Sequence, residues 1–195
     1  MPRFCANLSM LFTEVDFLER FDAAAKAGFA GVEYLFPYDV EAEAIKARLE
    51  ANGLEQVLFN LPAGDWAKGE RGIACHPDRV QEFRDPGFYL QNTRQALEIR
   101  DKVGSANLFL QYDIYHMQIM EGDLARTLEN QLAAINHVQL ADNPGRHEPG
   151  TGEINYRFLF EHLDRIGYQG WIGCEYKPAT TTEAGLGWMK THNVV

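Results

Sequence analysis

Three apolar runs of this chain stop on a residue that can bind a metal or move a proton, and a segment with helical spacing precedes each of them. The runs are Asn107 to Asp113 (NLFLQYD), His137 to Asp142 (HVQLAD) and Trp171 to Glu175 (WIGCE). Strands that return after helices point to parallel pairing, since a parallel neighbour is reached only by a crossover. In a barrel of parallel strands the carboxyl ends converge on one mouth. Asp113, Gln139 and Glu175 can therefore meet there although they are far apart in sequence.

The same rhythm starts at the amino terminus. Phe4 to Met10 reads as a strand, and Val15 to Ala27 carries apolar residues at helical spacing before stopping at Gly28. Gly31 to Phe36 is a second strand, Glu41 to Ala51 a second helix closed by Gly53, and Leu54 to Leu61 a third strand. Further on, helices are expected over Gln91 to Val103, Asp123 to Ile135 and Tyr156 to Ile166, one before each of the three opening runs. An internal echo supports the repeat: AAKAGFAGVEYLF (Ala24 to Phe36) and LDRIGYQGWIGCEY (Leu163 to Tyr176) share a helix, a glycine, an aromatic and a strand carrying Glu. Between the third strand and the next helix, Pro62 to Pro77 reads as a long loop, either a cover for substrate or an inert excursion.

The pattern describes one α/β domain over residues 1–195, with six strands. A complete (β/α)8 TIM barrel usually takes about 250 residues, so about two βα units are lacking. The break is expected at 85/86, in FRDPGF (Phe83 to Phe88), where a helix has barely begun before an Asp-Pro-Gly turn.

Composition narrows the partners. The chain is 46% hydrophobic and 24% charged, enough for one sizeable core. A formal net charge of -10 disfavours nucleic acid and anionic membrane, which both reward clustered Lys and Arg, and leaves a small molecule as the expected partner. Cys5, Cys75 and Cys174 lack the spacing of a zinc or redox motif and read as reduced thiols of a cytoplasmic protein. Neither an export signal nor a membrane-spanning run is recognisable.

The motifs FCANLSMLF, GVEYLFPY, NLPAGDWAKGERGIA, QYDIYHMQIMEG, HVQLADNPGRHEPGTGEINY and GYQGWIGCEYKP resemble the hydroxypyruvate isomerase family of xylose isomerase-like barrels. The resemblance runs along the chain on both sides of the 85/86 junction. It implies a xylose isomerase-like (β/α)8 barrel and interconversion of hydroxypyruvate with 2-hydroxy-3-oxopropanoate (tartronate semialdehyde). The related 2-oxo-tetronate isomerases imply a four-carbon alternative. Carried over by position, the resemblance makes Asp113, Gln139 and Glu175 ligands of a divalent cation, with Glu175 also one of two glutamates that exchange the proton. The other glutamate belongs to the segment this chain lacks, so an inactive truncated barrel is a further alternative.

The chemistry accounts for these residue types. Moving a carbonyl along a 2-hydroxy-ketone takes a proton from the adjacent carbon, passes through an enediolate and returns the proton to the neighbouring carbon, which a carboxylate can do. Negative charge develops on two adjacent oxygens, where a Lewis acid stabilises it. Carboxylate and amide oxygens suit Mg²⁺ or Mn²⁺. His116 is placed to meet a substrate oxygen or to orient Asp113, and Arg146 to grip a substrate carboxylate with paired hydrogen bonds. Lys177 and Arg71 are alternative clamps.

Each of these residues has a plainer role open to it. Asp113 and Glu175 could cap the loop or helix after their strands, and Glu33 and Asn60 could hydrogen-bond inside the barrel rather than touch substrate. Gly150-Thr151-Gly152-Glu153 lacks the Lys and the helix opening of a phosphate loop. A metal-dependent nuclease of related fold fits poorly with scattered histidines and an acidic balance. A homo-oligomer is open to a barrel of this kind, and no sequence feature sets its number.

Overall fold

Six short strands, all parallel, pair in the order β3-β2-β1-β6-β5-β4 and make a half-barrel. The computed structural model describes residues 2–61, 90, 92–192 and 194. The strands are β1 (Arg3–Asn7), β2 (Gly31–Tyr34), β3 (Glu55–Phe59), β4 (Leu110–Asp113), β5 (Ile135–Leu140) and β6 (Trp171–Cys174). The first and last strands of the chain are neighbours, as barrel closure requires, while β3 and β4, consecutive in sequence, lie at opposite edges.

Strand parity divides the residues into two sets. Phe4, Ala6, Val32, Tyr34, Val138, Leu140 and Ile172 join one hydrophobic cluster with Phe21 and Ala24 of α1 (Arg20–Lys26), Leu128 of α5 (Leu124–Asn130), Leu159, Phe160 and Leu163 of α6 (Tyr156–Ile166), and Trp188 and Met189 of α8 (Gly187–Thr191). Phe4 meets Phe160 edge to face at 5.2 Å and Trp188 at 5.5 Å between ring centroids. Each such buried aromatic contributes roughly 1.5–3 kcal/mol by leaving water. The alternate set, Cys5, Asn7, Glu33, His137 and Gln139, is also buried but polar, and it lines the inside of the half-barrel.

Helix ends follow local chemistry. Asn155 caps α6 by accepting from Phe158 N, and Gly167 ends it at φ 82°, where a residue with a Cβ is strained. Gly28 (φ 96°) holds the corresponding place between α1 and β2, so both copies of the internal echo are helix-to-strand turns made by a left-handed glycine. The remaining helices are α2 (Ala42–Asn52), α3 (Thr93–Val103), α4 (Ile114–Met120) and α7 (Thr182–Gly185). No described helix is long and apolar enough to cross a membrane.

Two expectations need correction. Residues 15–27 begin with a 3-10 turn, Phe17–Glu19, and only then become α1. The helix expected over Asp123 to Ile135 ends at Asn130, followed by a 3-10 turn (Leu132–Ala134). The run Ile135–Leu140 pairs as strand, because β5 lies between β4 and β6 and its β-branched residues fill a pleated surface. The segment after Asp113, to which the sequence assigned no element, is the helix α4, so His116 lies in its first turn. Pro62 to Pro77, the 85/86 junction, Arg71 and Cys75 lie outside the described residues. Cys5 and Cys174 are free and buried, and burial pushes both thiols well above their ordinary range.

Candidate active site

Register places the expected ligands on one face. Asp113 on β4 pairs with Gln139 on β5, Gln139 pairs with Gly173 on β6, and Glu175 follows Gly173 by two residues, so it points the same way. Its backbone N–H donates to Leu140 O at 3.1 Å, which ties the end of β6 to β5.

Asp113 has two duties available. Its Oδ1 accepts from Tyr115 N (2.9 Å) and His116 N (3.3 Å), capping α4, while Oδ2 faces His116 Nε2 at 3.5 Å. The plainer capping role is thus real, but it occupies one oxygen and leaves the other. A carboxylate at a helix N-terminus is also favoured by the helix dipole.

Glu175 is buried and Arg146 Nη2 donates to its Oε2 at 2.5 Å. Burial raises its pKa to about 7; the nearby Asp113 and Glu33 carboxylates add to the rise and Arg146 opposes it. A carboxyl poised there can both take and return a proton near neutral pH. Among the described residues its Oε1 makes no hydrogen bond.

Arg146 is held by a loop of unusual construction. Asp142, fully buried, accepts from the backbone N–H groups of Asn143, Gly150, Gly152 and Ile154 at 2.9–3.0 Å. In the Gly150 to Glu153 segment, Gly150 N and Gly152 N donate to this carboxylate while Thr151 N and Glu153 N donate to Glu148 O and Asn143 O, which agrees with its rejection as a phosphate loop. A Cβ at Gly152 would stand 1.7 Å from Asn143 O, so only glycine fits. Within the loop Arg146 takes φ 56°, and its guanidinium lies over the Tyr115 ring at 5.2 Å. Its buried Nε has no partner among the described residues.

The other expected residues are less central. Lys177 is exposed and borders a cavity of about 510 Å³ with Ser9 and Glu14, beside the β1 and β6 ends. His147 bonds Lys177 O through Nδ1 at 2.8 Å, closing the Asp142 loop on the segment after β6. Asn60 is partly exposed and uses its backbone O to accept from Tyr38 Oη.

Glu33 takes the plainer of the two roles open to it, at the centre of a cluster whose members the sequence did not single out together. Its Oε1 accepts from Asn7 Nδ2 (2.9 Å) and Gln139 Nε2 (2.8 Å), while Oε2 meets His137 Nε2 (2.7 Å) and Cys5 Sγ (3.5 Å). Internal hydrogen bonding is its role. Gly173 makes the room, because a Cβ there would stand 2.4 Å from Glu33 Oε2. A signal existed: Cys5 and Asn7, and likewise His137 and Gln139, are polar or small residues two apart in otherwise apolar strands.

Two donor sets could hold a cation. Cys5, Glu33 and His137 bring ligand atoms within 4.8 Å of one another, but the distances from Glu33 to the other two are those of hydrogen bonds. Asp113 Oδ2, Gln139 Oε1 and Glu175 Oε1 are hard oxygens on one face, and each keeps a lone pair open among the described residues. The second set has the chemistry for Mg²⁺ or Mn²⁺.

Comparison with known proteins agrees with this architecture. The profile of the xylose isomerase-like TIM barrel family matches residues 80–192. Hydroxypyruvate isomerase of Escherichia coli (strain K12) is 47% identical over 254 aligned positions, covering 97% of this chain and 98% of that protein. A 2-oxo-tetronate isomerase of Cupriavidus necator is 41% identical, covering 98% and 99%. A crystal structure from Brucella melitensis described as an AP endonuclease, family 2, superposes with a TM-score of 0.92 at 40% identity, covering 98% of this chain and 99% of that one. The chain thus belongs to the hydroxypyruvate isomerase family of xylose isomerase-like TIM barrels. The alignment to the Escherichia coli protein has 254 positions against 195 residues here, so at least 59 of them face no residue of this chain.

Proposed function

We propose that this chain interconverts hydroxypyruvate and 2-hydroxy-3-oxopropanoate by proton transfer through Glu175. The observation that carries this is a buried glutamate, raised to about 7, at the carboxyl end of β6 beside Asp113 and on the face of Gln139. In its ionised form Glu175 takes a proton from the carbon next to the substrate carbonyl, and as the acid it gives one back to the neighbouring carbon. Arg146 holds Glu175 Oε2 in place and offers the rest of its fork to the substrate carboxylate. His116 donates to a substrate oxygen from the first turn of α4, and Lys177 adds positive charge beside the β1 and β6 ends; Arg71, outside the described residues, is an alternative clamp by sequence alone. Asp113, Gln139 and Glu175 would hold Mg²⁺ or Mn²⁺. A bound divalent cation supplies Lewis-acid stabilisation for negative charge on two adjacent substrate oxygens.

The relatives' names support substrates of three or four carbons, and a paired assay with both separates them. A nuclease reading, which the description of the Brucella melitensis structure suggests, is disfavoured by a net charge of -10, since a phosphate backbone rewards clustered Lys and Arg.

The segment of about two βα units that this chain lacks belongs, in our reading, at 85/86. The sheet supports this, because it opens between β3 and β4, the strands that flank that point in sequence. The second proton-carrying glutamate goes with it. The test is the intact mass of the purified protein, followed by hydroxypyruvate conversion with and without a chelator. A larger mass with chelator-sensitive turnover supports a complete isomerase. A mass of 22.1 kDa with no turnover means a barrel without one catalytic half and overturns the activity for this chain.

A further inference from the structure

We infer that Glu33 is a positioning residue that fixes which end of the Gln139 amide is presented to the cation site. The inference rests on the metal-site reading above. Gln139 is an end-to-end choice: turned one way its side chain offers an oxygen, turned the other way an NH₂ that repels a cation. At ordinary distances both rotamers fill the same volume, so packing alone does not select between them. Glu33 does select. Its carboxylate has donors on every side, from Asn7, Cys5 and His137 as well as Gln139, and all of these groups are buried. An acceptor so placed demands the NH₂ of Gln139, and Nε2 meets Glu33 Oε1 at 2.8 Å.

The consequence falls at the other end of the amide. Oε1 is turned away from Glu33 toward β4, where it accepts from Gln111 Nε2 at 2.5 Å; an amide oxygen has a second lone pair, and Asp113 is the β4 residue in register with Gln139. Gln111 reinforces the orientation by offering a donor there, but it stands exposed on an edge strand, where water competes for its amide. Glu33 has no such competitor, because it is fully buried and Gly173 leaves space for its carboxylate alone. A buried carboxylate against an amide NH₂ is thus the stronger of the two determinants.

The test is Mn²⁺ affinity, measured by calorimetry and water-proton relaxation on the full chain, with thermal melts to confirm cooperative folding. Glu33→Gln gives Gln139 a partner that accepts either of its ends, and should weaken Mn²⁺ at least tenfold. Gln139→Glu alone sets two carboxylates face to face and should also bind weakly, although it adds a charge. The double variant Glu33→Gln/Gln139→Glu restores one donor facing one acceptor and should recover wild-type affinity or better.

A role for Glu33 in stability alone predicts a different pattern, in which Gln139→Glu strengthens Mn²⁺ binding whether or not Glu33 is changed. That pattern overturns the inference, as does a double variant that binds no more tightly than Glu33→Gln. Wild-type protein that binds no Mn²⁺ at all overturns the metal reading, and this inference falls with it; wild-type binding left unchanged by Glu33→Gln overturns this inference alone.

Discussion

At the scale of single residues, Glu175 combines a position and an environment that neither has alone. Strand parity brings it to the face of Asp113 and Gln139, and burial with like charge nearby lifts it toward neutrality. Glu175→Gln keeps the shape and removes the exchangeable proton. It should lower turnover well over tenfold, a barrier rise above about 1.4 kcal/mol, in a steady-state assay of whichever substrate the wild type converts. Retained turnover with an unchanged melt would assign the proton step to another group.

The raised pKa also has a sign in stability. Between about 4.5 and about 7 the folded metal-free protein holds the Glu175 proton more tightly than the unfolded chain does. Its contribution is therefore full below the unfolded value and is lost as pH rises through about 7. Unfolding free energies of wild type and Glu175→Gln from denaturant titrations should diverge across that window by about 3 kcal/mol, with the variant flatter. That Asp113, Gln139 and Glu175 share one face of the sheet was legible in the sequence, since Asp113 and Glu175 each end an apolar run and Gln139 lies in the run that stops at Asp142. Glu33 was legible as a strand-end carboxylate but not as the hub of Asn7, Cys5, His137 and Gln139, because its partners come from β1 and β5 and only three-dimensional pairing brings them together.

At the scale of elements, the loop from Asp142 to Ile154 is a rigid mount for Arg146 rather than a flexible cover. Four backbone donors point at one buried carboxylate, and Lys177 N donates to Arg146 O at 2.9 Å, so the loop and the end of β6 hold each other. Asp142→Ala leaves those donors without their acceptor. It should cost about 3 kcal/mol and lower Tm by several degrees in a calorimetric scan. Loss of turnover should exceed that fraction unfolded, since Arg146 would no longer be aimed at Glu175. The glycines and Pro144 announced a loop here, but not its centre, since Asp142 reads in sequence as one more polar strand end. The helix α4 was missed for a related reason. Its residues Ile114–Met120 are short and mixed, and the capping bonds from Asp113 that start it are invisible in a string of letters. The helices α2, α3 and α6 were found to within a few residues because each is closed by a left-handed glycine, with amphipathic spacing adding to the signal in α3 and α6.

At the scale of the whole molecule, a six-stranded order with β3 and β4 at the edges leaves Phe59, Leu61, Leu108 and Phe109 exposed among the described residues. Open strand edges with apolar neighbours favour pairing with another chain. A preparation with a mass of 22.1 kDa should therefore self-associate at high concentration, and the pair of changes Phe59→Lys and Phe109→Lys should reduce that association in light scattering. A monodisperse monomer before any substitution would mean that the edges are already covered. The sequence disclosed six strands and the shortfall against eight, but which strands flank the opening emerges only from pairing. That order also carries a practical corollary. Among the described residues, the sheet pairing of β3 and β4 runs inward, to β2 and β5, so each presents an outward rim with no strand partner among those residues. A separate polypeptide of two βα units seated there would displace no strand pairing seen among the described residues, which makes this chain a candidate acceptor for fragment complementation.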